Sequence, residues 1–134
     1  MTGSASALRA AMQAAMLAHG PLTAKLGGAF VFEELPRGAQ APLVTFAAID
    51  TRDRSDFGLR AHEHFVTLDV KTNARGRALT EGIVEEIETA LDAAPLVLAG
   101  HALIDLRLES WVIQRDGINF GARLRFRAAT EPLP

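Results

Sequence analysis

Arg123, Arg125 and Arg127 alternate with Leu124 and Phe126 near the end of a 134-residue chain. On a strand, that spacing lines three guanidiniums along one face, because successive side chains point to opposite faces. Such a row binds carboxylates through paired hydrogen bonds, whether they come from a neighbouring strand or from another subunit. Upstream, Asp105, Arg107, Glu109 and Trp111 alternate in the same way. A tryptophan on a charged face is a large apolar surface, which favours an interface. Arg107, Trp111, Arg123, Arg125 and Arg127 are therefore the candidate contact residues. Arg52, Asp53, Arg54, Asp56 and Arg60 form a second charged stretch, either a solvated segment or a contact loop between subunits.

Chemistry of other kinds finds little support. His62-Glu63-His64 puts two imidazoles on one side of a strand, a spacing some metal sites use. Here His64 runs in phase with Val66 and Leu68, toward the core, and no third ligand has a set position nearby. His101 follows Gly100 and reads as a polar residue at a strand start. A general base needs a positioned partner and a pocket, and neither is visible. Gly27-Gly28 and Arg75-Gly76-Arg77 lack the spacing of a phosphate loop. The chain has no cysteine, which removes disulfides, thiol nucleophiles and thiolate metal sites. The expectation is a protein that is not an enzyme, with no catalytic residue, no metal and no organic cofactor.

The elements that must position these residues follow from periodicity. Leu8, Ala11, Met12, Ala15 and Met16 make one helical stripe between a capping Ser4 or Ser6 and the stop at Gly20-Pro21. Leu22–Gly28 has room for about one turn of helix, and Ala29–Glu33 for a short strand. Pro36–Pro42 is a break, followed by a strand from Leu43. Thr51–Arg60 is polar and reads as a loop or as the outer part of a long hairpin. His62–Thr72 alternates, with His64, Val66, Leu68 and Val70 on one face. A second helix, capped by Asn73 and reaching Leu91, aligns Leu79, Ile83, Val84, Ile87 and Leu91, with Glu81, Glu85, Glu86 and Glu88 solvated.

Ala102–Arg115 and Ile118–Ala129 then form a hairpin in which Asp116-Gly117 supplies the positive φ angles of a type I′ turn. Strict alternation sends Ile104, Leu106, Leu108 and Val112 to the core and Trp111 to the arginine face. The fold class is α+β, in the order α-β-β-β-α-β-β: a mostly antiparallel sheet with two helices packed on one face. No internal repeat or long linker divides residues 1–134, so one domain is expected.

Composition bounds the function. Apolar residues make up 49% and charged residues 22%, the profile of a globular chain with a real core. A net charge of −2 argues against duplex binding through phosphate contacts. No apolar run approaches the roughly 20 residues that cross a bilayer, and Met1–Gly20 lacks the layout of a secretory signal. Folding and assembly in a bacterial cytoplasm, without a membrane partner, are expected.

The Ala/Leu-rich first helix, Leu26-Gly-Gly, Pro36-Arg-Gly-Ala-Gln-Ala-Pro-Leu-Val44 and His64-Phe-Val-Thr-Leu-Asp-Val70 stand in a familiar order. Arg75-Gly-Arg-Ala, Leu98-Ala-Gly-His-Ala-Leu103 and Gly121-Ala-Arg-Leu-Arg-Phe-Arg-Ala128 continue it. Together they resemble the tail-completion proteins of phages and prophages. That family is related to the tail terminators of lambda-type siphophages and occurs in gene transfer agents of alphaproteobacteria. The resemblance implies a homo-oligomeric ring, usually a hexamer, in the tail or neck of a phage-like particle. It would cap the tail tube, stop its polymerisation and meet a neck protein (stopper), while DNA passes through the lumen without sequence-specific binding. Another head–tail connector, a minor tail protein and, more remotely, a small enzyme are the competing readings.

Overall fold

The computed structural model describes residues 3–54, 60–93 and 95–134. Its elements are α1 (Ser4–Ala18), α2 (Gly20–Leu26), β1 (Val31–Phe32), β2 (Leu43–Asp53), β3 (His62–Lys71), α3 (Ala78–Asp92), β4 (His101–Asp116) and β5 (Asn119–Pro132). The strands form one sheet in the order β1-β2-β3-β5-β4. Only the two-residue β1 runs parallel to its neighbour. The α+β class and the expected order hold, with one addition, the short helix α2. Pro21 opens that helix instead of merely ending α1, since a proline in the first turn has no backbone N–H to waste. Gly27, at φ +81°, closes it in the left-handed conformation.

The helices cover one face of the sheet. Leu8, Met12 and Met16 of α1, Leu22 and Leu26 of α2, and Ile83, Val84 and Ile87 of α3 meet Val66, Leu68 and Val70 of β3 and Leu124, Phe126 and Ala128 of β5. Leu79, Leu106 and Leu108 pack against this core but stay partly exposed. Both helix starts differ from expectation. Ser4 lies inside α1 and is buried, with Gly3 at the cap position. α3 begins at Ala78 with Arg77 at the cap position, so Asn73 does not cap it.

β2 extends to Asp53, which pairs with His62, so Thr51–Asp53 belong to the outer part of a β2–β3 hairpin, while residues 55–59 lie outside the described residues. Where β3 passes β5, Gly121 is obligatory: a Cβ there would sit 2.7 Å from the Val70 carbonyl oxygen. The β4–β5 turn is one residue off the expected place. Asp116 pairs with Asn119, so Gly117 and Ile118 form the two-residue turn, with Gly117 at φ +67° standing first in it.

Alternation along β4 fails twice. Register shifts fall between Leu103 and Asp105 and between Leu108 and Ser110, leaving Ile104 and Glu109 as extra residues. A bulge of one residue inverts the face of everything beyond it. Ile104 and Val112, expected in the core, are accordingly 56% and 54% exposed.

Candidate functional site

β5 shows its two faces most clearly. Leu124, Phe126 and Ala128 are buried under the helices, while Arg123, Arg125 and Arg127 project from the open face. The three guanidiniums do come together there, and each already has a carboxylate. Arg123 donates from Nε and from a terminal nitrogen to the Asp69 oxygens at 2.8 and 3.0 Å, and this carboxylate raises the arginine's pKa above its ordinary value. Arg127 binds Glu63, donating from Nε at 2.9 Å. Arg54 reaches the other Glu63 oxygen at 3.0 Å. Hydrogen bonds from Arg54 and Arg127 hold the Glu63 carboxyl below the usual carboxylate range. Arg125 lies 3.6 Å from Glu109 and stacks on Phe65, its guanidinium carbon 4.6 Å from the ring centre. Arg52 covers the same ring at 5.0 Å and bonds Asp50.

The partners are not those that hairpin pairing suggests. Arg107 faces Arg127 directly, a like-charge pair, and turns instead to Asp105 on its own strand at 2.7 Å. Most of the neutralisation of β5 comes from β3, on its other side. Trp111 also departs from expectation. After the bulge at Glu109 its Cα opposes the core residue Leu124, not an arginine. Val112 takes the place opposite Arg123. Trp111 is 53% exposed and borders the shallow depression lined by Thr67, Arg123 and Arg125, so it sits at the sheet rim rather than within the arginine row.

Of the second charged stretch, Arg52 and Asp53 end β2, Arg54 is tied to Glu63, Arg60 is exposed ahead of β3, and Asp56 lies outside the described residues.

His62 and His64 lie on the helix-covered face. His64 is fully buried, with Nδ1 2.8 Å from the Thr51 hydroxyl and Nε2 2.9 Å from that of Thr130. Both ring nitrogens are thus engaged by hydroxyls, which leaves neither for a metal. Burial, followed by the proximity of His62 and His101, lowers its pKa. His62 Nδ1 meets the Ser4 hydroxyl at 2.7 Å and so ties the start of α1 to the sheet. Among the described residues no group of three or more histidines or carboxylates is placed to hold a metal ion.

Sequence reasoning missed two apolar features. One is a groove between α3 and β4, assembled from residues that no local pattern joins. The other is Ile118 at the hairpin tip, 64% exposed. A signal for the second exists in hindsight, since an isoleucine beside a turn glycine has nothing within its own hairpin to cover it.

A helix-backed sheet whose other face is a lattice of ion pairs defines a class: a one-sided α+β domain with an open, charged face and a long free edge. The chain belongs to the family of tail completion protein gp17, whose model matches residues 10–131. It is accordingly a structural assembly protein of phage-type tails. Among solved structures, it is similar to a chain of the virion of a native gene transfer agent particle. That similarity is 28% identity with a TM-score of 0.86, covering 98% of this chain and 99% of the other. No curated protein matches it.

Proposed function

We propose that the protein closes into a ring, six-membered as in the tail terminators it resembles, that caps the tail tube, stops its growth and joins the tail to a neck protein. Its place is then the tail–neck junction of a virion or gene-transfer particle, with DNA passing through the ring. The observation that carries this reading is the pair of unlike, open ends of the sheet. At one end β4, His101–Asp116, has no further strand beside it among the described residues beyond a single bridge from His101 to Leu98, and Ile104, Trp111 and Val112 stand exposed along it. At the other end β1 pairs with Val44 and Thr45, and among the described residues no strand lies beside the distal part of β2 on that side.

A free edge of this length is a template for pairing with another chain. Two different edges on one chain make a head-to-tail interface, which either closes or propagates. A terminator must close. The exposed apolar residues and the arginine face give such an interface the aromatic and guanidinium content that protein contacts favour. The Ser4 hydroxyl that meets His62 is buried at the start of α1, where it joins helix to sheet, and the buried imidazole of His64 is committed to Thr51 and Thr130.

The test is loss of the gene. Particles lacking the protein should carry overlong tails or tails not joined to heads when viewed by electron microscopy. Tails of normal length, properly joined, would overturn the reading. Unjoined tails of normal length would instead favour a neck connector.

A further inference from the structure

We propose that the β4–β5 turn of one copy seats in the groove between α3 and β4 of the next, with Ile118 entering the groove and Arg115 meeting its acidic rim. The inference rests on the ring reading and names a contact within it. The groove has a volume of about 470 Å³, with Leu91 on its helix side and Leu106, Leu108 and Phe126 on its sheet side. Glu88 and Asp92 of α3 line it as well, and so does Arg107, whose charge is already taken by Asp105.

Charge selects the occupant. Glu81, Glu85, Glu88 and Asp92 recur at helical spacing, are exposed, and have no ion-pair partner among the described residues. They leave α3 with an unneutralised acidic stripe that runs into the groove rim.

The opposite surplus lies at the hairpin tip. Arg115 and Arg77 flank the Phe120 ring at 5.1 and 5.3 Å, and neither has a carboxylate within ion-pair distance among the described residues. Ile118, within the turn itself, is exposed, an aliphatic side chain of the size a Leu-lined groove accepts. A protomer cannot fill its own groove. Leu108 and Gly117 are separated by the length of extended β4, roughly 30 Å at about 3.3 Å per residue. Knob and groove therefore join only between copies, and since they differ, the contact repeats in one direction around a ring.

The absence of cysteine makes the test clean. Ile118→Cys combined with Thr89→Cys, an exposed position lining the groove, should give a ladder of disulfide-linked chains when assembled rings are oxidised. Each single variant should stay unlinked, and a mixture of the two should stop at dimers. Rings that assemble normally yet give no ladder would overturn the contact and leave the ring standing. Failure of the unmodified chain to form rings, alone or with tail-tube protein, would remove both. Shielding of Thr89→Cys from a thiol-reactive dye only when tube protein is present would assign the groove to that protein instead. As a second arm, Arg115→Glu and Glu88→Arg should each weaken self-association roughly tenfold, and the two together should restore it. Additive loss in the double variant would count against the pairing.

Discussion

The two faces of β5 share one backbone and obey different physics. Leu124, Phe126 and Ala128 are 0–2% exposed and hold the helices to the sheet by removing apolar surface from water. Arg123, Arg125 and Arg127 face solvent and spend their charges on Asp69, Glu109 and Glu63. The exposed pairs Arg123–Asp69 and Arg125–Glu109 contribute little to stability, because water screens them and the long side chains lose freedom when they are held. The difference teaches that the open face is not needed to keep the protein folded. It keeps that face ordered and compatible with water until another surface arrives.

The largest effect that would sharpen this contrast is on the covered face. Phe126→Ala should lower the unfolding free energy by about 3–5 kcal/mol, read from urea denaturation. A loss below about 1 kcal/mol would mean that the helices do not depend on this contact.

Next comes the response to acid, where the two faces should part company in separate windows. His64 has a pKa lowered from 6.5, so the unfolded chain takes up its proton first. The stability tied to the neutral imidazole is fully present above about pH 6.5 and declines as the pH falls below it. Glu63 is lowered from 4.5, and its contribution fades only as the pH drops below that value. Urea midpoints should therefore fall between pH 7.5 and 5.5, before the open face titrates, and an NMR titration should show His64 staying neutral where a free histidine is half protonated. A midpoint unchanged across that interval would break the comparison on the covered side.

The smallest thermodynamic effect belongs to the open face. Arg125→Ala should cost less than about 1 kcal/mol by the same denaturation. Arg125→Glu and Trp111→Ala should likewise fold normally but assemble poorly, as judged by ring formation and by tail joining. Normal assembly by both would leave the ring intact and move its interface away from these residues.

The covered face was legible in the sequence because burial enforces a period. Val66, Leu68 and Val70 alternate without interruption, and Ile83, Val84 and Ile87 keep helical phase, so class, order and most of the core follow from spacing. The arginine row was legible for the same reason, since β5 runs unbroken against β3 from His62 to Lys71. β4 was not. An edge strand has a neighbour on one side only and can bulge at little cost, and no residue type announced the extra positions at Ile104 and Glu109. The partners of the arginines were hidden too, because strand order in space places β3, not β4, as the main source of carboxylates. Helix starts failed where Ser4 found a better partner in His62 than its own backbone.

The bulge at Glu109 also acts as a stored insertion. The strand takes up one extra residue there without moving the hairpin turn, and the pairs from Ser110 to Asp116 continue directly from Leu108 on the β5 side. Deleting Glu109 while keeping the turn would remove the bulge and leave Ser110 opposite Arg125, Trp111 opposite Leu124 and Val112 opposite Arg123. Only the Glu109 carboxylate, 3.6 Å from Arg125, would be lost from the open face. Lineages could thus gain or lose this one codon while the faces of the strand and the buried half of the sheet stay as they are.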